Sequence, residues 1–191
     1  MNTIIFDTSS PYLYLAFSSG DKVIYEKFIE GKNRHSENLL LLIEEGLNQF
    51  NFTFSNFKRI CLGIGPGSYT GLRVSVTIAK ILGWALSIPV YTISSLNLLA
   101  SDYLHKDGIY AITLIANKNY VYGKLVRVIN GVIIPIFDDM YIDAESFFKL
   151  IEDYNYVLIN EDNYRVNPTA IKFTLVSNIH DLSPNYLRRG V

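Results

Sequence analysis

Few folds accommodate a run such as Gly63-Ile64-Gly65-Pro66-Gly67-Ser68-Tyr69-Thr70-Gly71-Leu72-Arg73-Val74. The apolar residues Ile60-Cys61-Leu62 before it read as the end of a strand, and the residues after it read as a helix. Glycine is placed where backbone must take a positive φ or come close to something else. Ser68 and Thr70 stand where the helix should begin. Two readings remain open. The amide groups at the helix start could hold an anion, or the turn could pack against protein. The spacing matches neither nucleotide loop: Gly71 is followed by Leu72-Arg73 rather than Lys and Ser or Thr, and Gly63, Gly65 and Gly67 do not follow Gly-x-Gly-x-x-Gly. Gly65, Gly67 and Ser68 are the candidate anion contacts here.

The helix predicted over 68–87 has small residues at every fourth position: Gly71, Ser75, Ala79, Gly83 and Ser87. Residues four apart share one helix face, so this stripe admits a close neighbour. Leu72, Val76, Ile81 and Trp84 are among the apolar residues that fill other directions. A helix apolar nearly all round is buried on more than one side. The neighbour is either an element of this chain, such as the helix predicted over 36–50, or another molecule. That second helix, with Ser36 as N-cap, has Leu39 or Leu40, Ile43, Leu47 and Phe50 on one face, and Leu41 and Leu42 away from it. Two neighbouring helices with surplus apolar surface predict a helix-mediated interface. Leu39, Leu41, Leu42, Gly71, Ser75, Ala79 and Gly83 are its candidate residues.

Strands are predicted at 3–6, 12–18, 22–29, 58–63 and 90–93, with a further helix over 95–105. The second half begins with strands at 109–116, 120–129 and 132–140, the last two joined by the turn Asn130-Gly131. Asp143 caps a helix predicted through 153. Strands at 156–160 and 172–177 follow, and a tail or short helix ends the chain at 183–189. The order β-β-β-α-β thus occurs twice. It predicts an α/β chain of two lobes, 1–106 and a compact 107–191 whose tail returns to the first lobe. This is the architecture of the actin-like, ribonuclease-H-like superfold. Asp7-Thr8-Ser9 ends the first strand, where actin-like ATPases place a phosphate-binding turn. Asp7 is therefore a further candidate anion contact, although Ser9 stands where those enzymes usually carry Gly. The other reading is a turn in which Asp7 bonds local backbone.

Composition narrows the function. Of 191 residues, 49% are hydrophobic, enough for a substantial core. The net charge of −1 gives no global pull toward nucleic acid. Cys61, the single cysteine, reads as core and precludes an internal disulfide, which fits a reducing compartment. His35, His105 and His180 are scattered, so no metal site is predicted. There is no Gly-x-Ser-x-Gly elbow, no basic N-terminal signal pattern and no membrane-length apolar run. A cytoplasmic protein without membrane association is expected.

Gly65-Pro66-Gly67-Ser68-Tyr69-Thr70-Gly71-Leu72-Arg73 resembles the signature of the bacterial TsaB (YeaZ) family. Ile5-Phe6-Asp7-Thr8-Ser9, His35-Ser36-Glu37-Asn38-Leu39-Leu40, Pro89-Val90, Ser94-Ser95-Leu96 and Pro184-Asn185-Tyr186-Leu187-Arg188 resemble further family segments, in the same order. The segment opening the second lobe departs from the family's Asp-Ala-Arg-x-x-Glu-Val-Tyr pattern, keeping only Ala116, Val121 and Tyr122. The resemblance implies an actin-like fold and a noncatalytic role. Such proteins pair with the metal-carrying paralogue TsaD, which transfers threonylcarbamoyl to the adenosine beside the anticodon of tRNAs reading codons that begin with A. It further implies TsaE, an ATPase, as a partner, tRNA contact only through the complex, and a homodimer in isolation. No tightly bound cofactor is expected, with an adenine nucleotide at the partner interface as the one candidate. The alternative is a weak actin-like ATPase or a glycoprotease-like enzyme acting alone.

Overall fold

The structure, a computed structural model, describes residues 1–31 and 35–187. The side chains of His35 and Ser36, and Arg188 and Arg189 of the tail, lie outside what is described. In chain order the elements are β1 (Asn2–Asp7), β2 (Tyr12–Ser19), β3 (Lys22–Glu30), α1 (His35–Phe50), β4 (Phe57–Gly63), α2 (Tyr69–Leu86), β5 (Val90–Ile93), α3 (Ser95–Leu99), β6 (Gly108–Ile115), β7 (Tyr120–Ile129), β8 (Val132–Asp143), α4 (Ala144–Leu150), β9 (Val157–Ile159) and β10 (Thr174–Leu175). Since α1 already includes His35, Ser36 lies inside its first turn rather than before it.

Two compact units result. One comprises Met1–Ile93 and Lys172–Asn185; the other comprises Ser94–Ile171 and resumes at Tyr186. The first holds a sheet of order β10-β5-β4-β1-β2-β3. β1, β2 and β3 form an antiparallel meander, while β4 runs parallel to β1 and β5 parallel to β4. Side chains alternate along each strand, so Ile4, Phe6, Leu15, Phe17, Ile60 and Leu62 meet in one apolar cluster. Leu39 and Ile43 of α1 and Val76 and Ala79 of α2 join that cluster, so both helices cover one sheet face.

The second unit has sheet order β8-β7-β6-β9, again an antiparallel meander with a parallel strand beside its first member. The first four strands of the chain therefore lie in the order 3-2-1-4, and the second set repeats it as 8-7-6-9. This is the duplicated α/β topology expected of the actin-like superfold. Asn130 and Gly131 both have positive φ, at 52° and 73°, as a tight hairpin requires. Phe147 of α4 and Ile151 pack on Ala111, Val121 and Leu125. Asp143 accepts the Ser146 N–H at 3.0 Å as the cap of α4.

The division falls at Ile93/Ser94, upstream of the predicted break at 106/107. The local bonding explains the difference. Ser94 donates its hydroxyl to Asp139 Oδ1 at 2.9 Å, and Lys124 Nζ lies 3.2 Å from that same carboxylate. α3 is shorter than the predicted 95–105 because Asp102 gives its N–H to the Arg165 carbonyl at 3.1 Å instead of continuing the helix. Both sets of bonds tie residues 94–102 to the second sheet's own unit.

Candidate partner-binding surface

The glycine segment seats α2. Ser68 donates its N–H to the Ser9 carbonyl at 2.6 Å, and its side-chain oxygen accepts the Gly71 N–H at 3.2 Å. Thr8 Oγ1 donates to the Gly71 carbonyl at 2.6 Å. A Cβ on Gly71 would overlap the Thr8 carbonyl, and one on Gly67 would overlap that of Ser9. The first turn of α2 is thus pressed onto the residues that follow β1. Gly65, with φ of 104°, faces the Asn185 carbonyl and Leu72.

The four anion candidates lie within this packing. Asp7 is buried, and its Oδ1 accepts both the N–H and the hydroxyl of Ser9, at 2.7 and 2.5 Å. Gly67 abuts Ser9, Gly65 abuts Asn185, and Ser68 is engaged through both its N–H and its hydroxyl. The described geometry at this turn is protein against protein. Among the described residues, no three His, Cys, Asp or Glu side chains gather in a way that could hold a metal ion. No helix in the described residues is long and apolar enough to cross a membrane.

The small-residue stripe is off the surface except at its last member, Ser87, which is exposed. Gly71, Ser75, Ala79 and Gly83 are all buried. Gly71 meets Thr8, Ser75 donates its hydroxyl to the Leu72 carbonyl at 3.2 Å, and Ala79 lies in the core cluster. A Cβ on Gly83 would fall 2.5 Å from Ile179 and 2.6 Å from Val90. The stripe's close neighbours are the turn after β1, the sheet and the segment returning after residue 172. These four residues are therefore corrected from candidate interface to internal contact. Leu39 is corrected likewise: it is fully buried in the core.

The opposite sides of the two helices face solvent. α1 is fixed by Tyr25, whose hydroxyl donates to the Leu42 carbonyl at 3.0 Å, and by the Lys27–Glu45 ion pair at 2.7 Å. With Leu39 and Ile43 inward, Leu40 and Leu41 are left 54% and 62% exposed. Leu42 is half-buried against the core. On α2, Ile81 is 58% and Trp84 70% exposed, and both lie across the helix from the stripe. α1 and α2 touch each other. Leu40 and Leu41 on α1, and Ile81 and the chain's single tryptophan on α2, are thus presented to water. Ile81 and Trp84 stand outside the interface expected from the sequence, although both are apolar. Their position opposite the small residues was the available signal. Arg73 stacks over the Tyr69 ring at 4.1 Å near the start of α2.

Elsewhere in that unit, burial pushes the Cys61 thiol up to about 12, with Arg59 partly opposing. In the second unit, burial raises the Asp139 carboxyl above the ordinary carboxylate range, while Lys124 and Ser94 oppose the shift.

The family described as TsaD, tRNA N6-adenosine threonylcarbamoyltransferase, matches residues 23–179. The tRNA threonylcarbamoyladenosine biosynthesis protein TsaB of Bacillus subtilis is 31% identical over 80% of this chain and 67% of its own length. TsaB of a Buchnera aphidicola strain from Acyrthosiphon pisum is 30% identical over 64% of this chain and 57% of its own length. The alignment with that second relative thus spans little more than half of it. A Pseudomonas aeruginosa crystal structure, of an uncharacterized protein with similarity to peptidase YeaZ, superposes with a TM-score of 0.79 at 17% identity, covering 98% of this chain and 99% of that one. P. aeruginosa YeaZ superposes with a TM-score of 0.71 at 18% identity, covering 88% of each. These two structures show the shared fold.

Proposed function

The chain belongs to the TsaB (YeaZ) family, and from that membership we propose that it serves tRNA threonylcarbamoyladenosine biosynthesis as a noncatalytic subunit pairing with the transferase TsaD. The observation that carries the proposal is the outer side of α1 and α2. Leu40, Leu41, Ile81 and Trp84 are exposed on two contacting helices. Monomeric proteins seldom leave extended apolar patches in water, and tryptophan is the side chain most enriched where partners bind tightly. At the Asp7 turn the carboxylate bonds Ser9, and the glycine segment lies against Thr8 and Ser9; the noncatalytic reading itself comes from the family. In this reading TsaE and tRNA engage the assembled complex. A second copy of the chain occupies the same helix surface when the transferase is absent. An adenine nucleotide, where the complex takes one, belongs to the partner interface.

The test is reconstitution of tRNA modification with the transferase of the same organism, with and without this chain. The proposal expects modification to require the chain, and the isolated chain to hydrolyse no ATP. Full modification in its absence, or hydrolysis by the chain alone that disappears in Asp7→Ala, overturns it.

A further inference from the structure

The segment that returns to the first unit after residue 172 touches α2 in a specific pattern. β10 pairs antiparallel with β5, and Val176 donates its N–H to the Val90 carbonyl at 2.9 Å. The chain then crosses α2. Ile179 packs where Gly83 leaves no side chain. Lys80 Nζ donates to the carbonyls of His180 and Leu182, at 2.8 and 3.2 Å. Leu182 enters the core cluster. Finally Asn185 donates its N–H to the Ile64 carbonyl at 2.7 Å, beside the glycine segment that launches α2.

Two of these contacts fall next to exposed apolar residues of α2. Lys80 precedes Ile81, and Gly83 precedes Trp84. At this end the helix is held by Leu82 against the core, by Gly83 against Val90 and by its C-terminal turn, where Ser87 takes a positive φ and Ile88 donates its N–H to the Gly83 carbonyl, and the returning segment adds the Lys80 and Ile179 contacts. A charged donor bound to two carbonyls is stronger than an ordinary hydrogen bond. Lys80 is the side chain through which the returning segment grips the helix, and Ile179 fixes how closely it lies.

We infer that residues 174–185 form a positioning strap, which through Lys80 and Ile179 sets the placement of Ile81 and Trp84 and so the affinity of the α1–α2 surface for its partner. The second clause rests on the pairing reading above; the first does not. Lys80 is a positioning residue here, since it acts through the helix and not by touching the partner.

The experiment compares the full chain with Lys80→Met, which keeps the aliphatic stem, with Lys80→Arg, which restores a charged donor, and with Ile179→Ala. Amide exchange in the isolated protein is read first. Residues 81–86 should exchange about tenfold faster in Lys80→Met and Ile179→Ala, as loss of a charged hydrogen bond of this kind implies, with α1 and the first turns of α2 unchanged. Lys80→Arg should recover most of the protection. Transferase affinity is read second, well below the melting temperature, and should fall about tenfold in Lys80→Met and recover in Lys80→Arg. Unchanged exchange at 81–86 overturns the strap. Faster exchange with unchanged affinity overturns its role in pairing. If the wild-type chain does not bind the transferase, the pairing reading fails, and the exchange result still decides the strap.

Discussion

Cys61 shows how burial can dominate a residue's chemistry. Its thiol lies on β4 at 1% exposure, and burial raises its pKa from the ordinary 9.0 to about 12. The folded state therefore favours the neutral thiol. That contribution to stability is fully present below pH 9.0 and is lost as the pH climbs toward about 12. An alkylating reagent at pH 8 should label Cys61 only after denaturant unfolds the chain; rapid labelling of the native protein would contradict the account. The apolar neighbours of Cys61 in the sequence already point to the core, where the residue lies. At Leu39–Leu42 periodicity was less informative, because four leucines in a row satisfy several helix faces at once. Packing resolves it, with Leu39 buried and Leu41 exposed. Leu39→Ala should cost about 2–5 kcal/mol of stability, and Leu41→Ala within about 0.5 kcal/mol. Equal melting temperatures for the two variants would refute that assignment.

Among the elements, α2 carries most of the argument. Its start was legible: Ser68 caps it and Ser87 closes it, matching the predicted 68–87. The fourfold recurrence of small residues was legible as well, but what filled the stripe was not. A period of four says that something comes close, and it does not say from which side of the molecule. The filling elements are the turn after β1 and a segment about a hundred residues downstream, as the Lys80 to His180 bond shows. The depth of α2 can be tested at Gly71. Alanine there gains about 1 kcal/mol in helix propensity, yet its Cβ must displace the Thr8 carbonyl, which is backbone and cannot swing away. Overpacking of this kind costs about 1–3 kcal/mol or more. Gly71→Ala should therefore lower the melting temperature, and a stabilised variant would show that the turn does not hold the helix as described. α3 illustrates the opposite limit. Its predicted extension to residue 105 failed because Asp102 bonds Arg165, a tertiary contact that local pattern does not encode.

At the scale of the whole molecule, the repeated β-β-β-α-β order was readable without any residue-level repeat, because strand and helix periodicities survive sequence divergence. The boundary between units was not, since it depends on the bonds of Ser94 and Asp102. The segment that departs from the family pattern forms the β6–β7 hairpin. There Asn117 donates to the Tyr141 hydroxyl at 3.0 Å, and Tyr120 stacks on Tyr141 at 4.9 Å. In the other unit, α1 and α2 turn exposed apolar residues outward, and the proposed reading is that these meet the transferase. Titration calorimetry of that transferase with the wild-type chain and with Trp84→Arg tests it most directly. Trp84 is 70% exposed, so the substitution should leave the melting temperature nearly unchanged. A central interface tryptophan contributes about 2 kcal/mol or more, so affinity should fall about thirtyfold or further. Wild-type affinity in the folded variant would contradict the account.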